Sequence, residues 1–182
     1  MWVGTGNHGL FRQNAPNGDF RNYTFQHNEP LSIASNDISA VFCDHDGTVW
    51  VAPTGGGLSR FLPDKDGFQQ FETSVLPIQE QQVYFITEDN GHNLWVGMET
   101  CMLRIGADRD GNNVQVLRGK DLVRAQKPRN AAIVTTDGEL FAGRFNLLEH
   151  FYPERITIRH DTSPVYVTSI TLPYRTDDEE KT

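Results

Sequence analysis

Asp44-His45-Asp46-Gly47-Thr48-Val49-Trp50-Val51-Ala52, with Gly57-Leu58-Ser59-Arg60-Phe61 close behind, reads as a hairpin turn between apolar strands. The same phrase returns as Met1-Trp2-Val3-Gly4-Thr5 with Gly9-Leu10, and as Leu94-Trp95-Val96-Gly97 with Leu103. In each copy a leucine follows eight residues after the tryptophan. Phe20 and Phe68 lie eighteen after, and Tyr23 and Phe71 twenty-one. Upstream, Ile38 and Val83 lie twelve before, and Asp44 and Asp89 six before. A worn fourth copy follows in Asp137-Gly138-Glu139-Leu140-Phe141-Ala142-Gly143, where Phe141 takes the aromatic position and Leu148 falls one residue early. A period of 45 to 48 residues marks a repeat protein.

Apolar spacing and turn formers divide each repeat into four short strands. In the second copy these are Asp37 to Cys43, Thr48 to Pro53, Leu58 to Leu62 and Phe68 to Glu72, separated by Asp46-Gly47, Thr54-Gly55-Gly56-Gly57 and Pro63-Asp64-Lys65-Asp66-Gly67. The inner strand Ile38-Ser39-Ala40-Val41-Phe42 is apolar on both faces, as a sheet covered on both sides requires. The expected fold is therefore all-β: β-propeller blades of four antiparallel strands, at about residues 1–28, 37–73, 81–118 and 130–160. Met1 falls where Val49, Leu94 and Leu140 stand in later copies, so the first repeat lacks its innermost strand and about three and a half blades are present. A ring of seven would need roughly 300 residues. A four-bladed ring would close instead if Val165 to Leu172 supplied the missing strand beside Trp2.

Composition narrows the function. The 182 residues are 37% hydrophobic and 22% charged, with sixteen glycines and nine prolines for tight turns. A net charge of −8, with sixteen scattered basic residues, argues against a nucleic-acid partner. No apolar run approaches the roughly 18 residues that cross a bilayer, and no signal peptide is legible at the N-terminus.

The phrases Asp44 to Val51, Gly57 to Phe61 and Leu31-Ser32-Ile33-Ala34-Ser35-Asn36-Asp37-Ile38 resemble the two-component regulator propeller repeat. There an acidic residue and glycine precede a Leu-Trp-Ile/Val-Gly-Thr strand, then a Gly-Gly-Leu-x-Arg-Phe strand and a Ser-Leu-Ser-x-Asn-x-Ile link. The resemblance spans about residues 1 to 150. It weakens in the third copy, where Cys101-Met102 replaces the glycine pair, and in the fourth at Phe141. Ser163 to Leu172 resembles the opening strand of the immunoglobulin-like, tyrosine-rich β-sandwich domain that follows such propellers, so residues 163–182 are expected to start that domain or form a C-terminal tail. The resemblance implies a periplasmic, ligand-sensing segment of a hybrid two-component histidine kinase, with the missing propeller blades and the immunoglobulin-like domain as neighbours, a receptor dimer and an oligosaccharide ligand. Kinase or other output activity would lie outside this chain. The alternative is a propeller scaffold for protein interaction or part of a carbohydrate-active enzyme.

Site residues are sparse. Trp2, Trp50, Trp95 and Phe141 are expected to be blade anchors, since regular recurrence suits packing better than a binding site. The Asp-Gly turns at Asp44, Asp64, Asp89 and Asp108 start like calcium loops but lack the later ligands, and are read as turns. His8, His45 and His92 fall at different turn positions with no metal-ligand spacing, so no metal, cofactor or catalytic residue is expected. Cys43 and Cys101 lie at opposite ends of their blades and are expected to remain unbridged thiols. Loops between second and third strands, and between blades, emerge on one rim. They supply the ligand-binding candidates Asn7, His8, Glu99, Arg144 and Asn146, beside the links around His27 to Glu29 and Arg124 to Arg129.

Overall fold

The computed structural model describes residues 1–16, 18–74, 78, 82–98, 101–117, 131–144 and 147–156. They form four antiparallel sheets in which strand order is chain order. The first sheet holds β1 (Trp2–Gly4), β2 (Leu10–Gln13) and β3 (Phe20–Tyr23). The second holds β4 (Ile38–Cys43), β5 (Val49–Pro53), β6 (Ser59–Leu62) and β7 (Gly67–Gln70). In the third are β8 (Val83–Glu88), β9 (Leu94–Met98), β10 (Met102–Ile105) and β11 (Val114–Leu117). β12 (Ala131–Val134), β13 (Leu140–Arg144) and β14 (Leu147–Phe151) make the fourth, which a 3-10 turn at Pro153–Arg155 follows. These are propeller blades, four-stranded in the second and third copies and three-stranded, among the described residues, in the first and fourth. The segment Ser163 to Leu172, on which both the sandwich entry and the four-blade closure depend, lies outside the described residues.

Strand alternation explains how the blades stack. Successive side chains on a strand point to opposite faces. Trp50 of β5 enters the core shared with the third blade, where it meets Leu94, Val96 and Leu103. Its neighbours Val49 and Val51 turn the other way, into the core shared with Trp2, Leu10 and Tyr23 of the first blade. One blade on, Trp95 packs with Leu140 and Ala142 of the fourth blade, while Leu94 and Val96 face back toward the second. The second and third blades thus each give their aromatic to the next blade and their flanking aliphatics to the one before. Inner strands lie side by side, β4 against β1 and β8, and β8 against β12.

The second strands hold a common register with the third. Trp2 lies opposite Arg12, Trp50 opposite Arg60, Trp95 opposite Arg104 and Phe141 opposite His150. This corrects one reading of the repeat. The β9–β10 turn is a residue shorter than the β5–β6 turn, so Met102, two before Arg104, is the counterpart of Leu58, and Leu103 that of Ser59. The eight-residue leucine spacing survives in the third copy as a count, not as a register. Leu148 in the fourth copy is 60% exposed and holds no core position. The inner strand β4 is also less covered than its apolar sequence predicts, with no fully buried residue, whereas β8 in the next blade is mostly buried.

Candidate functional site

Two rims carry the polar turns. On the rim of the candidate loops, the β1–β2 turn is tied down by its own backbone. Thr5 Oγ1 donates to Gly9 O (2.8 Å) and accepts the His8 N–H (2.9 Å). Ile38 N donates to Thr5 O and Gly9 N to Asn36 O, both at 2.8 Å, which docks the turn on the link to the second blade. Gly9, at φ +78, has no room for a Cβ beside the Tyr23 carbonyl. Asn7 and His8 stand exposed at the tip of this braced turn. Glu99, Asn146, the side chain of Arg144 and the Arg124 to Arg129 link lie outside the described residues. His27, Asn28 and Glu29 are exposed in the preceding link.

The opposite rim is built on a repeated bond that the six-residue spacing of Asp and Trp produces. Trp50 Nε1–H donates to Asp44 Oδ2 (2.9 Å), and Trp95 Nε1–H to Asp89 Oδ2 (2.7 Å). The other carboxylate oxygen closes the turn below: Asp44 Oδ1 accepts Thr48 N–H, and Asp89 Oδ1 accepts Gly91 N–H and Asn93 N–H, all at 2.9 Å. Both aspartates are buried. They are thus more than turn formers, since each satisfies an indole N–H that burial would otherwise leave without a partner. In the fourth blade Phe141 has no N–H to satisfy. Thr135, six before it, keeps the turn role, its Oγ1 accepting Glu139 N–H at 3.1 Å and donating to Glu139 O at 3.0 Å and to Asp137 Oδ1 at 2.5 Å.

At the junction of the second and third blades this rim gathers charge. Glu88, the last residue of β8, accepts the His45 N–H (2.9 Å) on Oε2 and lies 2.7 Å from His45 Nδ1 on Oε1. Arg109, from the β10–β11 turn, donates from Nη2 to Glu88 Oε1 (2.6 Å) and Asp44 Oδ2 (3.2 Å), and from Nη1 to His92 O (2.6 Å). The imidazoles of His45 and His92 stack with centroids 3.7 Å apart. The separate turn positions of these histidines in sequence therefore do not keep them apart. His45 stands one residue after Asp44 and His92 three after Asp89, and the blade-to-blade packing closes the difference. His45, Glu88 and His92 each present a ligand-type atom within 4.8 Å of the others, a meeting that their spacing in sequence does not show.

Outer turns join the first two blades as well. Asp66 of the second blade accepts the Tyr23 hydroxyl of the first (2.6 Å) and pairs with Arg21. Burial, with the Asp66 hydrogen bond behind it, holds the Tyr23 phenol above its ordinary value of 10.0. Arg12 lies over the Trp2 and Phe61 rings, 5.4 and 5.1 Å from their centroids. Clefts open beside these junctions. One of about 270 Å³ between the third and fourth blades is lined by Asp89, Asn93, Arg104 and Glu154. Another of about 490 Å³ runs along β7 past Arg60, Gln69 and Arg109. Cys43, exposed, and Cys101, buried, are thiols. Among the described residues no helix is long and apolar enough to cross a membrane.

Residues 32–55 match the family model of the two-component regulator propeller. No curated protein matches the chain. Similar solved structures include the extracellular domain of the hybrid two-component system BT4673 from B. thetaiotaomicron, at 19% identity and TM-score 0.65, over 90% of this chain and 21% of that one. The corresponding domain of BT3049 from the same organism matches at 22% identity and TM-score 0.65, over 82% of this chain and 20% of that one. Virginiamycin B lyase from Staphylococcus aureus matches at 15% identity and TM-score 0.53, over 84% of this chain and 50% of that one. The chain spans about a fifth of the length of the two extracellular domains. The superposed blades give the chain a β-propeller fold, and its residues 32–55 are similar to the two-component regulator propeller repeat.

Proposed function

We propose that this chain is part of the ligand-sensing, periplasmic propeller of a two-component receptor, and that it has no catalytic activity of its own. One observation carries the reading: the regulator repeat at residues 32–55 lies within a run of blades that superposes on hybrid two-component extracellular domains over 82 to 90% of the chain. Fold alone does not carry function, since the same blades superpose on a lyase. The rim geometry adds support. Asn7 and His8 project from a turn fixed by five hydrogen bonds of Thr5, His8, Gly9 and Ile38, the rigid backing that a binding loop needs. Polar, planar side chains of this type suit a hydroxyl-rich ligand such as an oligosaccharide. The β13 face bearing Phe141 leaves Ile133 and Leu148 exposed where earlier blades cover Trp50 and Trp95. That is the face on which a further blade of the receptor would pack.

The test is calorimetric titration of the chain with a panel of oligosaccharides, repeated on Asn7→Ala and His8→Ala. At least one sugar is expected to give saturable heat that both substitutions weaken about tenfold, the loss of roughly one hydrogen bond to a ligand. Heat from no sugar, or heat unchanged by both substitutions, removes the carbohydrate assignment and this rim. Turnover of a sugar in the same mixtures would favour the enzymatic reading.

A further inference from the structure

The contact between the second and third blades carries chemistry that the sensor role does not use. His45, Glu88 and His92 bring two imidazoles and a carboxylate within 4.8 Å of one another. They come from two blades, so anything they hold in common joins those blades. Two nitrogens and one oxygen are the donor set of borderline-soft divalent ions, above all Zn²⁺. We propose that His45, Glu88 and His92 form a Zn²⁺ site that clamps the second blade to the third.

The geometry is close to this but not yet there. Tetrahedral Zn²⁺ with bonds of about 2.0 to 2.2 Å spaces its ligand atoms by about 3.3 to 3.5 Å, so the donors farthest apart must close by up to about 1.5 Å, while His45 Nδ1 and Glu88 Oε1, now at 2.7 Å, must part slightly to admit the ion. The stacked rings must also open so that both nitrogens point at one ion. His92 can make that movement. It is exposed, it sits in a left-handed turn position at φ +62, and among the described residues its side chain makes no contact of this kind other than the stack. The field favours a cation, with the carboxylates of Asp44, Asp46 and Glu88 set against the guanidinium of Arg109. Arg109 occupies the carboxylate oxygen that a metal would take and is therefore the ion's competitor. It is not dislodged when Glu88 turns away, because it keeps its bonds to Asp44 Oδ2 and His92 O. Water completes the coordination.

The experiment is titration of the chelator-treated 182-residue chain with Zn²⁺ alone, read by calorimetry and by thermal melting. One ion per chain is expected, with a raised melting temperature. His92→Asn keeps a residue suited to positive φ, and His45→Gln keeps a polar side chain. Each is expected to weaken Zn²⁺ binding by about tenfold or more while His8→Asn leaves it unchanged. Arg109→Gln is expected to tighten it, since the competing charge is gone. No binding by the wild-type chain, or binding that survives both His92→Asn and His45→Gln, overturns the proposal.

Discussion

The bond between Trp95 and Asp89 shows why one carboxylate recurs six residues before an indole. Burial of the ring removes its N–H from water, and Asp89 answers with one oxygen while the other ties the turn. Removing the carboxylate leaves the buried indole N–H and the part-buried turn donors of Gly91 and Asn93 without their acceptor, so Asp89→Ala should cost about 2 to 4 kcal/mol. Trp95→Phe removes the N–H that Asp89 serves, so the two losses overlap. A double-mutant cycle by urea denaturation is expected to show coupling of about 1 kcal/mol or more, and strict additivity would contradict the bond's role. A second residue-scale compensation lies two positions after each aromatic. Gly97 faces Phe85, Ala52 faces Ala40 and Gly143 faces Ala131, so the first pair holds one large side chain, the second two methyls and the third a single methyl. A Cβ on Gly97 would overlap the Phe85 ring, whereas one on Gly143 has its nearest neighbour, Ala131 O, at 3.7 Å. Gly97→Ala should therefore destabilise by about 1 to 3 kcal/mol. Gly143→Ala should leave the melting temperature nearly unchanged.

Between elements, outer turns act as clasps. Asp66 reaches from the β6–β7 turn to Tyr23 of the first blade, as Arg109 reaches from the β10–β11 turn to Asp44 of the second. The Tyr23 clasp makes stability depend on alkaline pH. Its phenol titrates higher in the folded chain than the ordinary 10.0, so the folded state holds that proton more tightly. The stabilisation is full below pH 10 and is lost as pH rises through the raised folded value. Tyr23→Phe should cost about 0.5 to 1.5 kcal/mol near pH 8 through the lost hydrogen bond. The gap between the two proteins should narrow as pH climbs past 10, measured by urea melts across that range. A gap that stays constant would mean that the phenol proton is not held by the fold. These clasps mark where sequence reading stops. Strands β4 to β7 are legible from Asp37 to Glu72 because alternation and turn residues are local. The meeting of His45 with His92, or of Asp66 with Tyr23, depends on blade packing across more than 40 residues of chain, and nothing local encodes it. The recurrence of Asp44 and Asp89 before their tryptophans was a visible trace of that rim, and it pointed to the turn rather than to the indole bond. Asn7 and His8 were legible as exposed loop residues because Gly6 and Gly9 bracket a tight turn.

Across the molecule, stability should grade from the middle outward. The second and third blades are each packed on both sides and share the largest core, with Trp50, Leu58, Leu94, Val96 and Leu103 wholly buried. Among the described residues, the first blade contributes Leu10 and Tyr23 to a single junction, and the fourth Leu140 and Ala142 to another. In a protein built of repeats, stability is approximately a sum of unit terms and nearest-neighbour interfaces, so a blade with one interface opens more readily than a blade with two. Apolar exposure follows the same gradient, with Val3 and Phe20 uncovered in the first blade and Ile133 and Leu148 in the fourth. Native-state hydrogen exchange should therefore find the slowest amides in β5 and β9, whose residues are all buried, and faster exchange in β3 and β14, where local opening costs less than global unfolding. The distinction can be sharpened with Trp50→Ala, which removes the largest side chain of the central junction and should cost about 3 to 5 kcal/mol. If the blades are coupled as nearest neighbours, that substitution speeds exchange in β5 and β9 together and brings them toward the rates of β3 and β14. Uniform exchange from all four sheets, before or after the substitution, would instead mean that the chain unfolds as one cooperative body and that the junctions do not act separately.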